Sequence, residues 1–165
     1  LLPIVVNPET VKVGLAGAGD GHTRRKALLL EAGLLPVPVE IETSLEGIQI
    51  LFIAGLTSHN SAALAKKARS AGILVNVEDA PDLCDFHVPA IVRRGDLVLT
   101  ASTGGRAPGL ARRLREWLEE HFGPEWDART EELGRTRAAW RAEGVPAHEV
   151  SERSRSLIAE KGWLQ

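Results

Sequence analysis

Val11-Lys12-Val13-Gly14-Leu15-Ala16-Gly17-Ala18-Gly19-Asp20-Gly21-His22 decides how the rest of the chain is read. Its first half is short and mostly apolar, as a buried strand is, and it runs straight into a cluster of glycines. From Arg24 to Ala32 the residues favour helix, with Ala27, Leu28, Leu29, Leu30 and Glu31, and Gly33 stands where a helix stops. Strand, glycine turn and helix in that order are the context a dinucleotide fingerprint requires. The first glycine permits the tight turn, and the second lets the backbone approach a pyrophosphate. The helix N-terminus adds free N–H groups and a partial positive charge. The sixth position, where close helix–strand packing calls for Gly or Ala, is His22. Taken alone, the stretch reads equally well as a plain strand–helix turn.

Further along, Val37 to Ile41 can form a second strand. Ile48 to Ala54 is a near-continuous apolar run, expected of a strand buried on both faces. Asn60 to Ala71 reads as an amphipathic helix closed by Gly72, and Ile73 to Val77 as a fourth strand. Strands alternating with helices predict a parallel α/β sheet. The acidic residue expected about 20 residues after the turn, to meet the ribose hydroxyls, is Glu40 or Glu42. Only about eight residues join the second strand to the third, fewer than the dozen or so of a helical crossover. The helix usual there is expected to be absent, or reduced to a turn around Ser44–Gly47. Beyond residue 89, Ala90–Arg93 and Leu97–Ala101 read as strands around Arg94-Gly95-Asp96. A helix with Pro108 near its start runs to about Phe122. Further helices over 125–143 and 147–161 are separated by Gly144-Val145-Pro146.

Composition narrows the function. At 165 residues, 44% hydrophobic and 25% charged, the chain is an ordinary globular protein with one sizeable core. A net charge of -2 makes no global case for nucleic acid. Arg93, Arg94, Arg106, Arg112, Arg113 and Arg115 nevertheless crowd one central stretch, which points to an anionic ligand. No run approaches the roughly 18 apolar residues of a membrane span. The first residues lack the basic and apolar parts of a signal peptide. The single cysteine, Cys84, excludes an intrachain disulfide and suits a reducing compartment, so a cytoplasmic location is expected. No Cys/His spacing forms a metal site, and Cys84 reads as a small buried apolar residue.

The central segment carries a resemblance. Asn76-Val77-Glu78-Asp79-Ala80-Pro81-Asp82-Leu83-Cys84-Asp85-Phe86 is followed by Val88-Pro89-Ala90-Ile91-Val92-Arg93-Arg94-Gly95-Asp96-Leu97 and then by Ser102-Thr103-Gly104-Gly105-Arg106-Ala107-Pro108-Gly109-Leu110-Ala111-Arg112. This resembles the signature of the precorrin-2 dehydrogenase family, which includes the N-terminal module of siroheme synthase. With weaker likeness in the glycine turn and at Arg25-Lys26-Ala27, the resemblance extends over residues 1–122. It implies a Rossmann-like nucleotide-binding domain over 1–89, a dimerisation segment over 90–122 and a helical C-terminal region over 123–165. The implied activity is NAD-dependent oxidation of precorrin-2 to sirohydrochlorin by a homodimer. In some members ferrous iron is inserted afterwards, so Fe2+ enters only as the substrate of a chelatase step.

By the same resemblance, Asn76 and Asp79 are the catalytic candidates. Gly17, Gly19, Asp20, Gly21, Ile41 and Glu42 fall on the cofactor-contacting positions, and Ser102, Thr103, Gly104 and Gly105 on a hydroxyl–glycine turn for substrate. The chemistry is coherent. Oxidation removes a hydride, which NAD⁺ takes, and a proton, which Asp79 can take. Asp79 otherwise reads as the start of an Asx turn, with Asn76 capping the strand. The Ser102–Gly105 turn, with Arg106, Arg112 or Arg113, suits a substrate rich in carboxylates. It also reads as a helix cap beside solvated arginines. Trp126, Leu133 and Trp140, seven residues apart, read as core or dimer packing, or as a lid over a tetrapyrrole. Three positions depart from the family: His22, the short 42–50 connection, and Leu56-Thr57 where members usually carry Thr-Asp. All lie on the nucleotide side. They motivate an alternative, a tetrapyrrole-binding chelatase or regulatory module that has lost NAD turnover.

Overall fold

The apolar run of the third strand lies inside a sheet with both faces covered, which is why it carries no polar alternation. In a computed structural model describing residues 2–164, the first half of the chain forms β1 (Val13–Gly17), α1 (Gly19–Glu31), β2 (Val37–Val39), β3 (Ile50–Ala54), α2 (Ser58–Ser70) and β4 (Leu74–Val77). All four strands are parallel, in the order β2-β1-β3-β4. The expected α/β class and Rossmann-like sheet are present. The chain reverses its direction of travel across the sheet at β1, so the crevice between the carboxyl ends of β1 and β3 is the topological switch point.

Side chains divide between the two faces with period two. Val13, Leu15, Ile50 and Phe52 pack with Leu29 of α1 and Leu34 on one side. Ala16, Leu51, Ile53, Val75 and Val77 pack with Leu64, Ala65 and Ala68 of α2 on the other. The connection from β2 to β3 contains no helix, as its length predicts. Its Leu45 and Ile48 are buried in the α2-side core instead. Gly14 makes the room, since a Cβ there would press on Ile48 Cδ1 at 2.9 Å.

One boundary differs instructively. The first helix begins at Gly19, not at Arg24. Glycine's poor helix propensity conceals that start from a reading based on composition, whereas Asp20 in the first turn suits the helix dipole.

The chain forms two compact units, one ending at Val88 and the other beginning at Pro89. The second contains an antiparallel hairpin of β5 (Ala90–Arg94) and β6 (Leu97–Ala101), then α3 (Pro108–His121), α4 (Glu125–Ala142) and α5 (Ala147–Glu160). Arg94 ties the hairpin to the end of α3, donating from Nε to the Phe122 carbonyl at 2.7 Å. Among the described residues, the buried hydrophobics of this unit are Val92, Ala101 and Val150. Its core is thin.

Removing the Ile48 side chain leaves a hole that the sheet face cannot close. Ile48→Ala should cost about 2–4 kcal/mol, read as a lower urea midpoint with an unchanged slope.

Candidate functional site

Gly17 ends β1 with φ of 112°, and a Cβ on it would collide with the Ala54 carbonyl at the end of β3. Gly55 makes the reciprocal approach to the Ala18 carbonyl. The backbone then enters α1 through Gly19, φ 79°, where an added Cβ would meet nothing within 4 Å. Ala18, extended at the N-cap, supplies no side-chain cap. A helix start without a side-chain cap, facing open space at the switch point, fits a pyrophosphate.

The close approach expected of the fingerprint's sixth position is met one residue earlier. Gly21 is the buried residue of the first turn, and a Cβ there would run into the Glu78 carboxylate. His22 is half-buried, and its departure from Gly or Ala is thereby accommodated. The departure at Thr57 is equally benign: its Oγ1 accepts the Asn60 N–H and caps α2, work that an aspartate also does.

Past β4 the chain makes a closely tied loop. Asp85 accepts the Val75 N–H and Arg69 Nε, both at 2.8 Å, and Arg69 Nη2 donates to the Leu83 carbonyl at 2.8 Å. Cys84 does more than pack: its Sγ accepts the Val77 N–H at 3.2 Å and lies the same distance from the Val77 carbonyl, to which the thiol donates. Asn76 is 6% exposed; its Nδ2 donates to the Phe86 carbonyl at 2.9 Å, while its Oδ1 is buried without a partner. It closes the loop from within.

Asp79 sits on that loop with φ of 57°; among the described residues it is the non-glycine with positive φ. Its side chain is exposed. Among the described residues its carboxylate accepts no hydrogen bond, so no Asx turn forms. The left-handed conformation costs an L-residue free energy, least for Asp and Asn.

Two cations to which the sequence reading gave no role organise this edge. Arg25 lies over the Phe52 ring at 5.2 Å from its centroid. Burial holds its guanidinium below the ordinary value, opposed by the nearby Glu78 carboxylate. The signal was available: Gly21, Arg25 and Leu29 share one helical stripe, which places a charge in the sheet-facing row. Lys67 donates to the Ile41 and Thr43 carbonyls, each at 2.9 Å, and so fixes the turn after β2. Glu40 and Glu42 are exposed there and Ile41 is half-buried.

The structure brings Gly17, Gly19, Asp20 and Gly21 together with the Glu78–Asp79 turn. Ser102, Thr103, Gly104, Gly105, Arg106 and Arg112 belong to the second unit. There Thr103 Oγ1 accepts the Ala107 N–H at 3.1 Å and Ser102 Oγ accepts that of Gly104 at 3.3 Å, bonds that hold the turn ahead of α3, whose own first turn has no side-chain cap. Arg112 and Arg113 both pair with Glu116 at 3.2 Å, and together they hold its carboxyl below the usual range. Arg106 is exposed.

The two glycines of the turn should respond differently to alanine. Gly17→Ala meets backbone and should be destabilising by more than the roughly 1–2 kcal/mol of a left-handed residue alone. Gly19→Ala should lose only about that much and remain folded, yet bind NAD⁺ at least tenfold more weakly. Titration calorimetry beside thermal melts separates the two effects.

Residues 5–90, a little over half of the chain, match a family described as "Putative NAD(P)-binding". The siroheme synthase of Nitrosomonas europaea is 47% identical over 72% of this chain, and that of Methylococcus capsulatus 36% over 72%. The siroheme synthase of Methylobacillus flagellatus is 35% identical over 70%. These alignments take in 30%, 30% and 22% of the respective relatives, so the chain spans less than a third of their length. A solved structure, "SirC, precorrin-2 dehydrogenase", matches 100% of this chain and 93% of its own with a TM-score of 0.77 at 19% identity, a likeness of fold. Among the described residues no helix is long and apolar enough to cross a membrane. The chain belongs to this NAD(P)-binding family, and its first unit carries nearly all of the match.

Proposed function

We propose that the chain oxidises precorrin-2 to sirohydrochlorin with NAD⁺, as a cytoplasmic homodimer acting in siroheme biosynthesis. The observation that carries this reading is Asp79, an exposed carboxylate held in a left-handed conformation beside the glycine turn. Strain at the carboxyl edge of a parallel sheet is where function is sought. The likeness to siroheme synthases supports a substrate of siroheme biosynthesis.

When bound, NAD⁺ supplies the hydride acceptor. The amides that open α1, with Gly17, Gly19, Asp20 and Gly21, hold the pyrophosphate. Ile41 and Glu42, fixed by Lys67, border the adenosine end. Asp79 takes the proton that leaves the macrocycle with the hydride, so one NADH and one proton form per oxidation. Asn76 is a positioning residue, keeping the Asp79 loop closed against β4. Ser102, Thr103, Gly104 and Gly105, with Arg106 and Arg112, receive substrate carboxylates; Arg112 shares its guanidinium with Glu116.

Residues 1–89 serve as the nucleotide domain, 90–122 as the dimerisation segment and 123–165 as a helical region. The dimer is supported by α3, whose Leu110, Leu114 and Trp117 are exposed at helical spacing, and by a two-stranded sheet over a thin core.

The test is NADH formation from enzymatically generated precorrin-2. Asparagine tolerates the left-handed region, so Asp79→Asn removes the base and keeps the turn. Turnover should fall by roughly 10²–10⁴-fold, with the NAD⁺ dissociation constant unchanged. An inactive wild type that still binds tetrapyrrole would support the chelatase or regulatory reading, and Fe2+ insertion would then separate those two.

A further inference from the structure

We propose that Glu78 makes the dinucleotide site selective for the oxidised cofactor, its carboxylate favouring the pyridinium cation of NAD⁺ over the neutral ring of NADH. The inference rests on NAD⁺ lying along the glycine turn, and it gives a part to a residue that has none in the reaction so far.

Glu78 is held at the site from two sides. Its N–H donates to the Ile53 carbonyl at 2.9 Å, which pins the residue beside the carboxyl end of β3. Its side chain, 20% exposed, turns back to the first turn of α1. Gly21 has no Cβ there, and the Glu78 carboxylate takes the place that one would fill. Among the described residues Arg24 is the one cation within ion-pair distance, its Nη2 standing 3.4 Å from Oε1. That arginine is 69% exposed, and so exposed a partner binds weakly. Arg25 stays over the Phe52 ring. Oε2 accepts no hydrogen bond among the described residues. The negative charge is therefore fixed in place and mostly uncommitted.

Strand order decides which half of the dinucleotide meets this charge. A dinucleotide lies across the carboxyl ends of the strands, with its pyrophosphate at the glycine turn. The adenosine end lies towards β2, so the nicotinamide end extends the other way, towards β3 and β4. Glu78 follows β4 directly. The oxidised and reduced cofactors share every phosphate and hydroxyl and differ in the charge of one ring. A fixed carboxylate attracts the cationic ring and gains nothing from the neutral one. In a reaction that turns NAD⁺ into NADH, that difference favours loading the oxidant and releasing the product.

The test reads binding and needs no turnover. NAD⁺ and NADH are titrated separately, by calorimetry, into the full chain and into Glu78→Gln, which keeps the side chain's shape and loses its charge. The ratio of the NADH to the NAD⁺ dissociation constant should fall at least about threefold in the variant. A merely structural role, followed by thermal melts, would weaken both forms together and leave the ratio alone. Glu78→Asp, which keeps the charge, should stay nearer the wild-type ratio, and Asp79→Asn should leave it unchanged. The proposal is overturned by an unchanged ratio in Glu78→Gln, by a fall in Glu78→Asp as large as in Glu78→Gln, or by an equal fall in Asp79→Asn. A wild-type chain that binds neither form would overturn the dinucleotide reading itself, and this proposal with it.

Discussion

At the switch point of the sheet two backbones approach so closely that neither tolerates a Cβ: Gly17 against the Ala54 carbonyl, and Gly55 against that of Ala18. Much of the first unit follows from this contact. It brings the carboxyl ends of β1 and β3 together, fixes where α1 starts and leaves the opening amides of that helix facing outwards. The same economy of space recurs at Gly14, where the missing side chain admits Ile48 and lets a short connection replace a helix. A lost secondary-structure element is thus offset by packing without disturbing the strand order.

Around this frame the polar interactions are unevenly distributed. The loop from Asn76 to Phe86 is held by a buried amide, a thiol, an aspartate and an arginine, each spent on backbone or on one another. Asp79 is the member left over, exposed and in an unfavourable conformation. Rigid surroundings are what allow one residue to remain strained. The two arginines that α1 directs towards this edge divide their work: Arg24 pairs with Glu78 at 3.4 Å, whereas Arg25 stacks on Phe52.

Much of this was legible in the residues. β3 announces itself by an uninterrupted apolar run and the hairpin by its Arg94-Gly95-Asp96 turn, because both signals are local. The missing second helix was legible too, since chain length alone forbids it. The start of α1 was hidden because glycines chosen for a tight turn are poor helix formers. The packing role at the sixth fingerprint position was misplaced because Gly21 and His22 are adjacent, and only the phase of the helix decides which one faces the sheet. Helical spacing could have put Arg25 in the sheet-facing row, but not shown its partner, and Lys67 was missed outright: Phe52 and the Ile41 and Thr43 carbonyls are distant in sequence. Asn76 entered the sequence reading as a catalytic candidate through the resemblance; its burial and its bond to the Phe86 carbonyl, which the sequence does not display, make it a brace within the loop.

The uncapped start of α1 carries a consequence for the protein's persistence. A helix end that relies on a ligand for its anion is better satisfied with the ligand than without it. Any molecule that binds the folded chain and not the unfolded one stabilises it by mass action, by about 2.7 kcal/mol at a hundred times the dissociation constant. Where degradation samples the opened state, half-life then tracks the dinucleotide pool. The turn that makes room for a cofactor would also make the abundance of the protein a record of that cofactor's supply.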